Sequence, residues 1–228
     1  MIVGPVIRHL GLAPYEPTWR AMQEFTGVRE SSTPDEIWFV EHPAIFTLGL
    51  NASREHLLSP GDIPVVQIDR GGQVTYHGPG QLVVYPLIDL RRRRLNVREL
   101  VVALENAVIA YAAELGLTAQ GSRDAPGVYL DGAKLASVGL RIRRGASYHG
   151  LALNVSLDLR PFERINVCGH RGLAVTQLAD HVGRFAGIAP TAAVDAAANG
   201  LTPHLLHQLK FEADYSAINT AGQAVNSR

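Results

Sequence analysis

The 228-residue sequence predicts an α+β, or mixed α/β, domain. Hydrophobic residues make up 46% of the chain and charged residues 18%, so the chain can bury a substantial core. Strand-like and helical patterns are mixed from the start, and a run of strands joined by tight turns begins at Gly127. Since no repeat of fixed period occurs, the middle of the chain is interpreted as one continuous domain.

The first half of the chain predicts two helices and three strands. A first amphipathic helix is indicated by apolar residues at helical spacing, at Trp19, Met22 and Phe25. Short apolar runs suited to strands occur at residues 37–40, 65–68 and 82–88. A longer helix is predicted by the apolar stripe over residues 97–115, and Gly116 ends it.

From Gly127 the pattern predicts consecutive strands, at residues 128–130, 133–142 and 148–155. Asp131-Gly132 between the first two favours a two-residue type I′ turn. Because side chains alternate along a strand, Lys134, Ala136 and Val138 are expected on one face, so that Lys134 is partly dehydrated or points into a cleft. The chain has 19 arginines and 2 lysines, so a lysine at this position is unusual.

The last third combines a loop, two helical segments and a polar end. A proline-containing loop holds Cys168, and helical segments are predicted over residues 175–182 and 192–209. We expect a single domain over residues 1–212 and a poorly ordered polar tail over residues 213–228.

Charge and cysteine content exclude several classes of protein. The net charge is zero, and no apolar run reaches the roughly 20 residues that span a bilayer, so neither nucleic acid nor membrane is an expected partner. The N-terminus lacks a basic leader, which predicts a soluble, unexported, cytoplasmic protein. One cysteine cannot form an internal disulfide, and with no His-Glu-x-x-His spacing no metal site is expected.

Residues 70–81 form the densest chemical stretch, with four glycines in twelve residues. Glycines let the backbone approach a ligand and present amide N–H groups. The stretch lacks the Gly-Lys-Ser/Thr of a P-loop and the third glycine of a dinucleotide fingerprint. It is interpreted as a binding loop because it also carries Arg, Thr, Tyr, His and Gln; the alternative is a long connection whose glycines serve turns.

Three further candidates have an ordinary structural alternative. Cys168 lies between Arg164 and Arg171, where its thiolate could act as a nucleophile, but a free cysteine is often buried and inert. His77 and His149 border glycines and could serve a site or form structural hydrogen bonds. The run at residues 91–94 is a solvated turn or a docking point for an acidic partner, since residues 70–171 hold 14 basic and 8 acidic side chains.

Five motifs in order resemble those of the lipoyl(octanoyl) transferases over roughly residues 10–210. They are Arg70-Gly-Gly-x-x-Thr-Tyr-His77-x-x-Gly-Gln81-x-x-x-Tyr85-Pro86, Gly127-Val-Tyr, Lys134-x-x-Ser137-x-Gly139 with Arg141, His149-Gly-Leu-Ala-Leu-Asn154, and Cys168-Gly-x-x-Gly172 followed by Thr176-Gln. Two departures are small: Val167 replaces the usual proline and His170 a common tyrosine. Both concern the conformation of the Cys168 loop.

The resemblance implies the biotin/lipoate protein ligase catalytic-domain fold, a mixed sheet packed with helices. It also implies transfer of octanoyl from octanoyl-acyl carrier protein to a lysine of lipoyl domains, the first step of endogenous protein lipoylation. Cys168 is expected to form a thioester acyl-enzyme, with Lys134 favouring the thiolate and relaying protons. The expected acceptors are the lipoyl domains of 2-oxoacid dehydrogenases and the glycine cleavage H protein, and no cofactor is expected.

The same resemblance implies an acyl pocket with backbone amides available to an oxyanion. Its expected lining is Arg70, Gly71, Gly72, Gln73, Val74, Thr75, Tyr76, His77, Ser137, Val138, Gly139, His149, Gly150, Leu151 and Ala152. Three alternatives stay open: an ATP-dependent lipoate or biotin ligase, an amidotransferase that moves octanoyl between lipoyl proteins, and a non-catalytic lipoyl-domain binder.

Overall fold

A computed structural model describes residues 4–122 and 125–211. The strands are β1 (Val6–Leu12), β2 (Glu36–Glu41), β3 (Ile45–Leu48), β4 (Val65–Gln67), β5 (Val74–His77), β6 (Gln81–Leu87), β7 (Ala119–Gly121), β8 (Gly127–Leu130), β9 (Ala133–Arg143) and β10 (Ala146–Asn154). The helices are α1 (Tyr15–Val28), α2 (Leu90–Arg93), α3 (Val97–Glu114) and α4 (Pro190–Gln208).

The strands form two sheets. The large sheet has the order β1-β2-β6-β10-β9-β8-β7, in which only the β1–β2 pair of these described strands is parallel. The small sheet has the order β4-β3-β5, with β3–β4 parallel and β3–β5 antiparallel. This mixed pairing with helices on the sheet confirms the predicted α+β class.

Helices cover both faces of the large sheet. On one face α3 and α4 pack together over the largest core cluster, which includes Leu104, Leu151 and Leu201. On the other face α1 packs through Met22 against β6 and β10. The small sheet lies beside α1 on that second face, and the space between the two sheets becomes the functional pocket.

Local sequence signals explain the predicted elements that the structure confirms. Helix α3 begins with a capping box in which Asn96 and Glu99 satisfy each other's backbone N–H, and Gly116 follows its end with φ +80°. The β8–β9 turn has positive φ at both Asp131 and Gly132, as a type I′ turn requires. The predicted first helix and the β8–β10 meander are likewise present.

Two predicted segments differ from the structure. The connection after β4 contains a buried strand, β5, which its Val-Thr-Tyr-His composition could have indicated. Residues 175–182 are mostly not helical, with one 3₁₀ turn at Leu178–Asp180, because Val175 pairs with Lys134 instead. The predicted polar tail, residues 213–228, and the domain boundary at residue 212 lie outside the described residues.

The prediction that Lys134 shares a face with Ala136 and Val138 is wrong. Tyr129 pairs with Lys134 but its neighbour Val128 pairs with Ala136, so β9 holds one extra residue, Leu135. This β-bulge interrupts the alternation of side chains. As a result Leu135 and Ala136 join the core beneath α3, and Lys134 lies on the opposite face.

No helix among residues 4–122 and 125–211 is long and apolar enough to cross a membrane.

Candidate active site

The thiol of Cys168 lies next to the amine of Lys134. Lys134 Nζ is 2.8 Å from Cys168 Sγ, and it also donates to the carbonyl of Pro126 at 3.1 Å and to the Tyr129 hydroxyl at 3.2 Å. Lys134 is only 1% exposed, so its ammonium is removed from water and all three of its N–H bonds are satisfied by protein. The amine and the thiol are therefore in direct hydrogen-bonding contact at a position closed to water.

Gly127 and the bulge in β9 place Lys134. The bulge turns the lysine towards Cys168, away from the core beneath α3. Gly127 has φ +143°, and a Cβ added there would lie 2.8 Å from Lys134 Cε and 2.4 Å from the Ala136 carbonyl oxygen. Only glycine therefore leaves room for the lysine side chain at this position of β8, where it pairs with β9.

The segment after Cys168 returns to β9 and holds the thiol in place. The N–H of Lys134 donates to the Ala174 carbonyl at 2.8 Å, and the N–H of Thr176 donates to the Lys134 carbonyl at 3.0 Å. Before the thiol, Asn166 is fixed by its N–H, which donates to the His56 carbonyl at 2.8 Å. Backbone pairing on both sides thus brings together two side chains 34 residues apart.

Cys168 itself has the left-handed backbone conformation, with φ +53°. Such a φ is uncommon for a residue other than glycine and is maintained by its surroundings. Here the N–H of Gly169 donates to the Asn166 carbonyl and the N–H of His170 to the Val167 carbonyl. These two amides are already paired, and Val167, which replaces the usual proline, is buried in the small-sheet core.

Arg70 adds a second buried positive charge. Its guanidinium donates to the carbonyls of Gly71, Gln73 and Thr47 and to the Thr47 hydroxyl, at 2.8 to 3.0 Å. Burial lowers the pKa of Arg70, and its interactions with Tyr15, Cys168 and Tyr85 oppose that shift. These four hydrogen bonds hold the guanidinium at the wall of the pocket that Cys168 also lines.

A pocket between the two sheets opens beside Cys168 and contains about 480 Å³ of empty space, including its mouth. It is lined by Cys168 and by thirteen of the fifteen predicted binding residues: Arg70, Gly72, Gln73, Val74, Thr75, His77, Ser137, Val138, Gly139, His149, Gly150, Leu151 and Ala152. Gly71 and Tyr76 lie outside the lining; Tyr76 packs on Phe46 and Phe162 in the small-sheet core.

Three residues of the lining were not predicted, Tyr15, Val83 and Tyr85. Tyr85 stands in a quoted motif, and the period-two pattern of β6 places it on the same face as Val83. Tyr15 has no such signal, because it is the first residue of α1 and reaches the pocket only through the packing of that helix.

The histidines around the pocket are buried and neutral. Burial lowers the pKa of His42 to about 4, and it also lowers the pKa values of His77 and His149. Each has hydrogen-bonding partners: His42 with Tyr85, His77 with Gln81, and His149 with Asp69. Within residues 4–122 and 125–211, no group of three or more His, Cys, Asp or Glu side chains is arranged to hold a metal ion.

Solved structures share this fold. A bi-partite lipoate protein ligase from Thermoplasma acidophilum matches with a TM-score of 0.71 and 16% identity, over 91% of this chain and 84% of that chain. The biotin protein ligase from Aquifex aeolicus in complex with biotin and ATP matches with a TM-score of 0.53 and 12% identity, over 90% and 70%. At these identities the likeness concerns the fold alone, and it confirms the predicted fold class.

Sequence comparison is more specific. The lipoyl protein ligase A/B catalytic domain matches residues 14–201. The octanoyltransferase of Methylococcus capsulatus is 62% identical over 175 residues, which are 77% of this chain and 84% of the relative. The octanoyltransferase of Chromobacterium violaceum is 56% identical over 204 residues, 90% of this chain and 95% of the relative. The chain therefore belongs to the lipoyl protein ligase A/B catalytic domain family and, within it, to the octanoyltransferases.

Proposed function

We propose that this acyltransferase moves an octanoyl group from acyl carrier protein to the acceptor lysine of a lipoyl domain, through a thioester on Cys168. The observation that supports this most directly is the 2.8 Å contact between Cys168 Sγ and Lys134 Nζ beside the pocket between the two sheets. The identity of the acyl group as octanoyl is inferred from the names of its relatives, which are octanoyltransferases. The donor and acceptor proteins are part of the proposal.

In the first step the Cys168 thiolate attacks the carbonyl carbon of the donor thioester. A bond forms between that carbon and Cys168 Sγ, the bond to the donor sulfur breaks, and the Lys134 ammonium gives a proton to the departing thiolate, which leaves as a thiol. Lys134 is left neutral. One thioester replaces another, so the step is nearly balanced in free energy.

In the second step the acceptor amine attacks the acyl-enzyme. The new carbon–nitrogen bond replaces the bond to Cys168 Sγ, and the neutral Lys134 takes the proton that the amine loses. The dyad returns to thiolate and ammonium. Because an amide is more stable than a thioester, the overall transfer is downhill and needs no ATP.

The pocket supplies binding free energy for the acyl tail. An octanoyl group has six more carbons than acetyl, and their burial at ~0.8 kcal/mol each gives about 5 kcal/mol of gross affinity. This difference in affinity favours a medium chain over acetyl. The acceptors we propose are the lipoyl domains of 2-oxoacid dehydrogenases and the glycine cleavage H protein.

Intact-mass measurement after mixing the enzyme with octanoyl-acyl carrier protein tests the proposal. We expect a mass shift of one octanoyl group located on Cys168, no shift in Cys168→Ser, and amide product on an added lipoyl domain without ATP. Product that requires ATP and survives Cys168→Ser would instead indicate a ligase. Acylation by an octanoylated lipoyl protein but not by the carrier protein would indicate an amidotransferase, and no acylation by either would indicate a binder.

A further inference from the structure

The acyl pocket runs across the strands of the large sheet. The Lys134 amine donates to the Pro126 carbonyl and lies beside Gly127, which pairs with Ser137. From Cys168 the lining passes over β9 and β10 to Val83 and Tyr85 of β6, which form the far end. Three neighbouring strands at a spacing of ~4.8 Å span about 10 Å.

Two buried rings close that far end. Tyr15 is 4% exposed and His149 is 1% exposed, and the Tyr15 hydroxyl is 3.5 Å from His149 Nδ1. The Tyr15 ring also stacks on His77, with ring centroids 5.4 Å apart. Both Tyr15 and His149 line the cavity, and α1, which carries Tyr15, packs on β6, so a chain that enters from Cys168 meets these rings after crossing β9 and β10. We call Tyr15 and His149 the end wall.

Asp69 supports the end wall from behind. Its carboxylate accepts hydrogen bonds from Trp19 Nε1 at 2.9 Å, from Gln23 Nε2 at 3.2 Å and from His149 Nε2 at 2.9 Å, and also from the Tyr148 hydroxyl. Trp19 and Gln23 belong to α1, and the other two donors belong to β10. One carboxylate therefore joins the helix that carries Tyr15 to the strand that carries His149.

The backbone at His149 reinforces this arrangement. His149 has φ +57°, although it lies inside a strand, and this turns its side chain to the pocket side of the sheet. A left-handed conformation at a residue other than glycine persists only where the surroundings determine it. Burial alone would raise the pKa of Asp69, but the hydrogen bonds from His149 and Tyr148 outweigh it and keep the pKa low, so the carboxylate stays ionised.

We propose that the end wall sets the maximum length of the acyl chain and that Asp69 is its positioning residue. This inference rests on the proposed function. An extended octanoyl chain reaches about 9 Å from its carbonyl carbon, because each ~1.5 Å carbon–carbon bond advances a zigzag chain by about 1.3 Å. The three-strand width of about 10 Å accommodates that length, and four more carbons would press against rings that close packing holds in place.

The test is a competition among octanoyl-, decanoyl- and dodecanoyl-acyl carrier proteins, read as the mass of the acyl-enzyme on Cys168. We expect the wild-type enzyme to select octanoyl, and Tyr15→Ala to raise the ratio of dodecanoyl to octanoyl by about tenfold or more. Tyr15→Leu, which keeps more of the packing, should raise it in the same direction. Tyr15→Phe keeps the ring and should leave the ratio unchanged.

Tyr76→Leu is a matched control, because Tyr76 is also a tyrosine with 4% exposure but lies outside the lining. It should leave the ratio unchanged even if it lowers the melting temperature. Asp69→Asn should raise the ratio by a smaller factor, since the wall would lose its support but keep both rings. A merely structural role of Asp69 would lower all three acylation rates equally.

The outcomes separate the two proposals. If Cys168 of the wild-type enzyme is acylated but both Tyr15→Ala and Tyr15→Leu keep the wild-type ratio, the end wall does not set chain length. If Cys168 of the wild-type enzyme is acylated by none of the three donors, the proposed function itself is wrong.

Discussion

At the scale of the residue, the site depends on the hydrogen bonds and proton transfers of the Lys134 amine. Three acceptors surround its Nζ, namely Cys168 Sγ, the Tyr129 hydroxyl and the Pro126 carbonyl. Glu105 faces the same region and bonds to the Gly127 N–H rather than to the lysine. The proton that the proposed reaction moves twice is therefore held at Nζ, directly beside Cys168 Sγ, by two fixed protein acceptors.

We predict that Lys134→Arg lowers the rate of Cys168 acylation by a factor of 100 or more. Arginine keeps the positive charge but does not deprotonate in proteins, and its guanidinium is too large for the space that Gly127 leaves. A time course of intact mass with octanoyl-acyl carrier protein measures the rate. Lys210→Arg is the matched control, because Lys210 is the other lysine of the chain and is exposed. An unchanged rate in Lys134→Arg would mean that a positive charge alone is sufficient.

At the scale of the element, α2 has a different role from the docking role considered for residues 91–94. Arg93 is 4% exposed, bonds to the buried carboxylate of Asp35 at 3.0 Å and lies 3.5 Å from the centroid of Phe211. Arg92 donates to the carbonyls of Ser31 and Thr33. The helix also lies at the Arg143 end of β9, about 26 Å along the strand from Lys134 when the bulged residue is left out, at ~3.3 Å per residue. Arg92 and Arg93 therefore anchor the segment before β2, whereas Arg91 and Arg94 are exposed.

Two substitutions in α2 should therefore differ in their effect on stability. Arg93→Ala removes a positive charge that pairs with the buried carboxylate of Asp35, so we expect a loss of about 3 kcal/mol in the free energy of unfolding. Arg91→Ala removes an exposed side chain, and we expect a change within about 0.5 kcal/mol. Urea unfolding monitored by circular dichroism measures both. Equal losses in the two variants would contradict this assignment.

At the scale of the whole molecule, three neutral histidines make the fold sensitive to acid. His42, His77 and His149 have pKa values below the ordinary 6.5 because they are buried. The unfolded chain takes up protons at these residues as the pH falls through 6.5, while the folded chain does not. Stability is therefore lost as the pH falls from about 6.5 towards 4. Asp69 has a lowered pKa in the folded protein, so its contribution to the free energy of unfolding is complete above about pH 4 and is lost as the pH falls below that value.

We predict that the free energy of unfolding falls steeply between pH 6.5 and 4.5. His42 alone should account for about 3 kcal/mol over the interval to pH 4, at about 1.4 kcal/mol per pH unit. Urea titrations at several pH values give the slope. His42→Gln should reduce the slope of the free energy of unfolding against pH by about 1.4 kcal/mol per pH unit, which corresponds to one proton. His9→Gln alters an exposed histidine and should leave this slope unchanged. A flat profile in the wild-type protein would contradict the neutral state of the buried histidines.

The sequence by itself determined the elements whose signals are local. The apolar stripe of α3, its capping box and the Asp131-Gly132 turn all lie within short stretches, so their structures could be predicted without knowledge of their partners. The motifs also indicated Cys168 and Lys134 and most of the pocket lining, because chemistry at a site restricts which residue types can stand there.

Only the tertiary structure decided how those parts meet. The bulge at Leu135 turns Lys134 to the pocket side, and this depends on which residues of β8 pair with β9. The contact of Tyr15 with His149, and the hydrogen bonds that Asp69 makes behind them, depend on the packing of α1 on β10, which no local pattern encodes. Helical and strand signals arise from neighbouring residues, whereas register, close approach and the end of a cavity arise from contacts between distant ones.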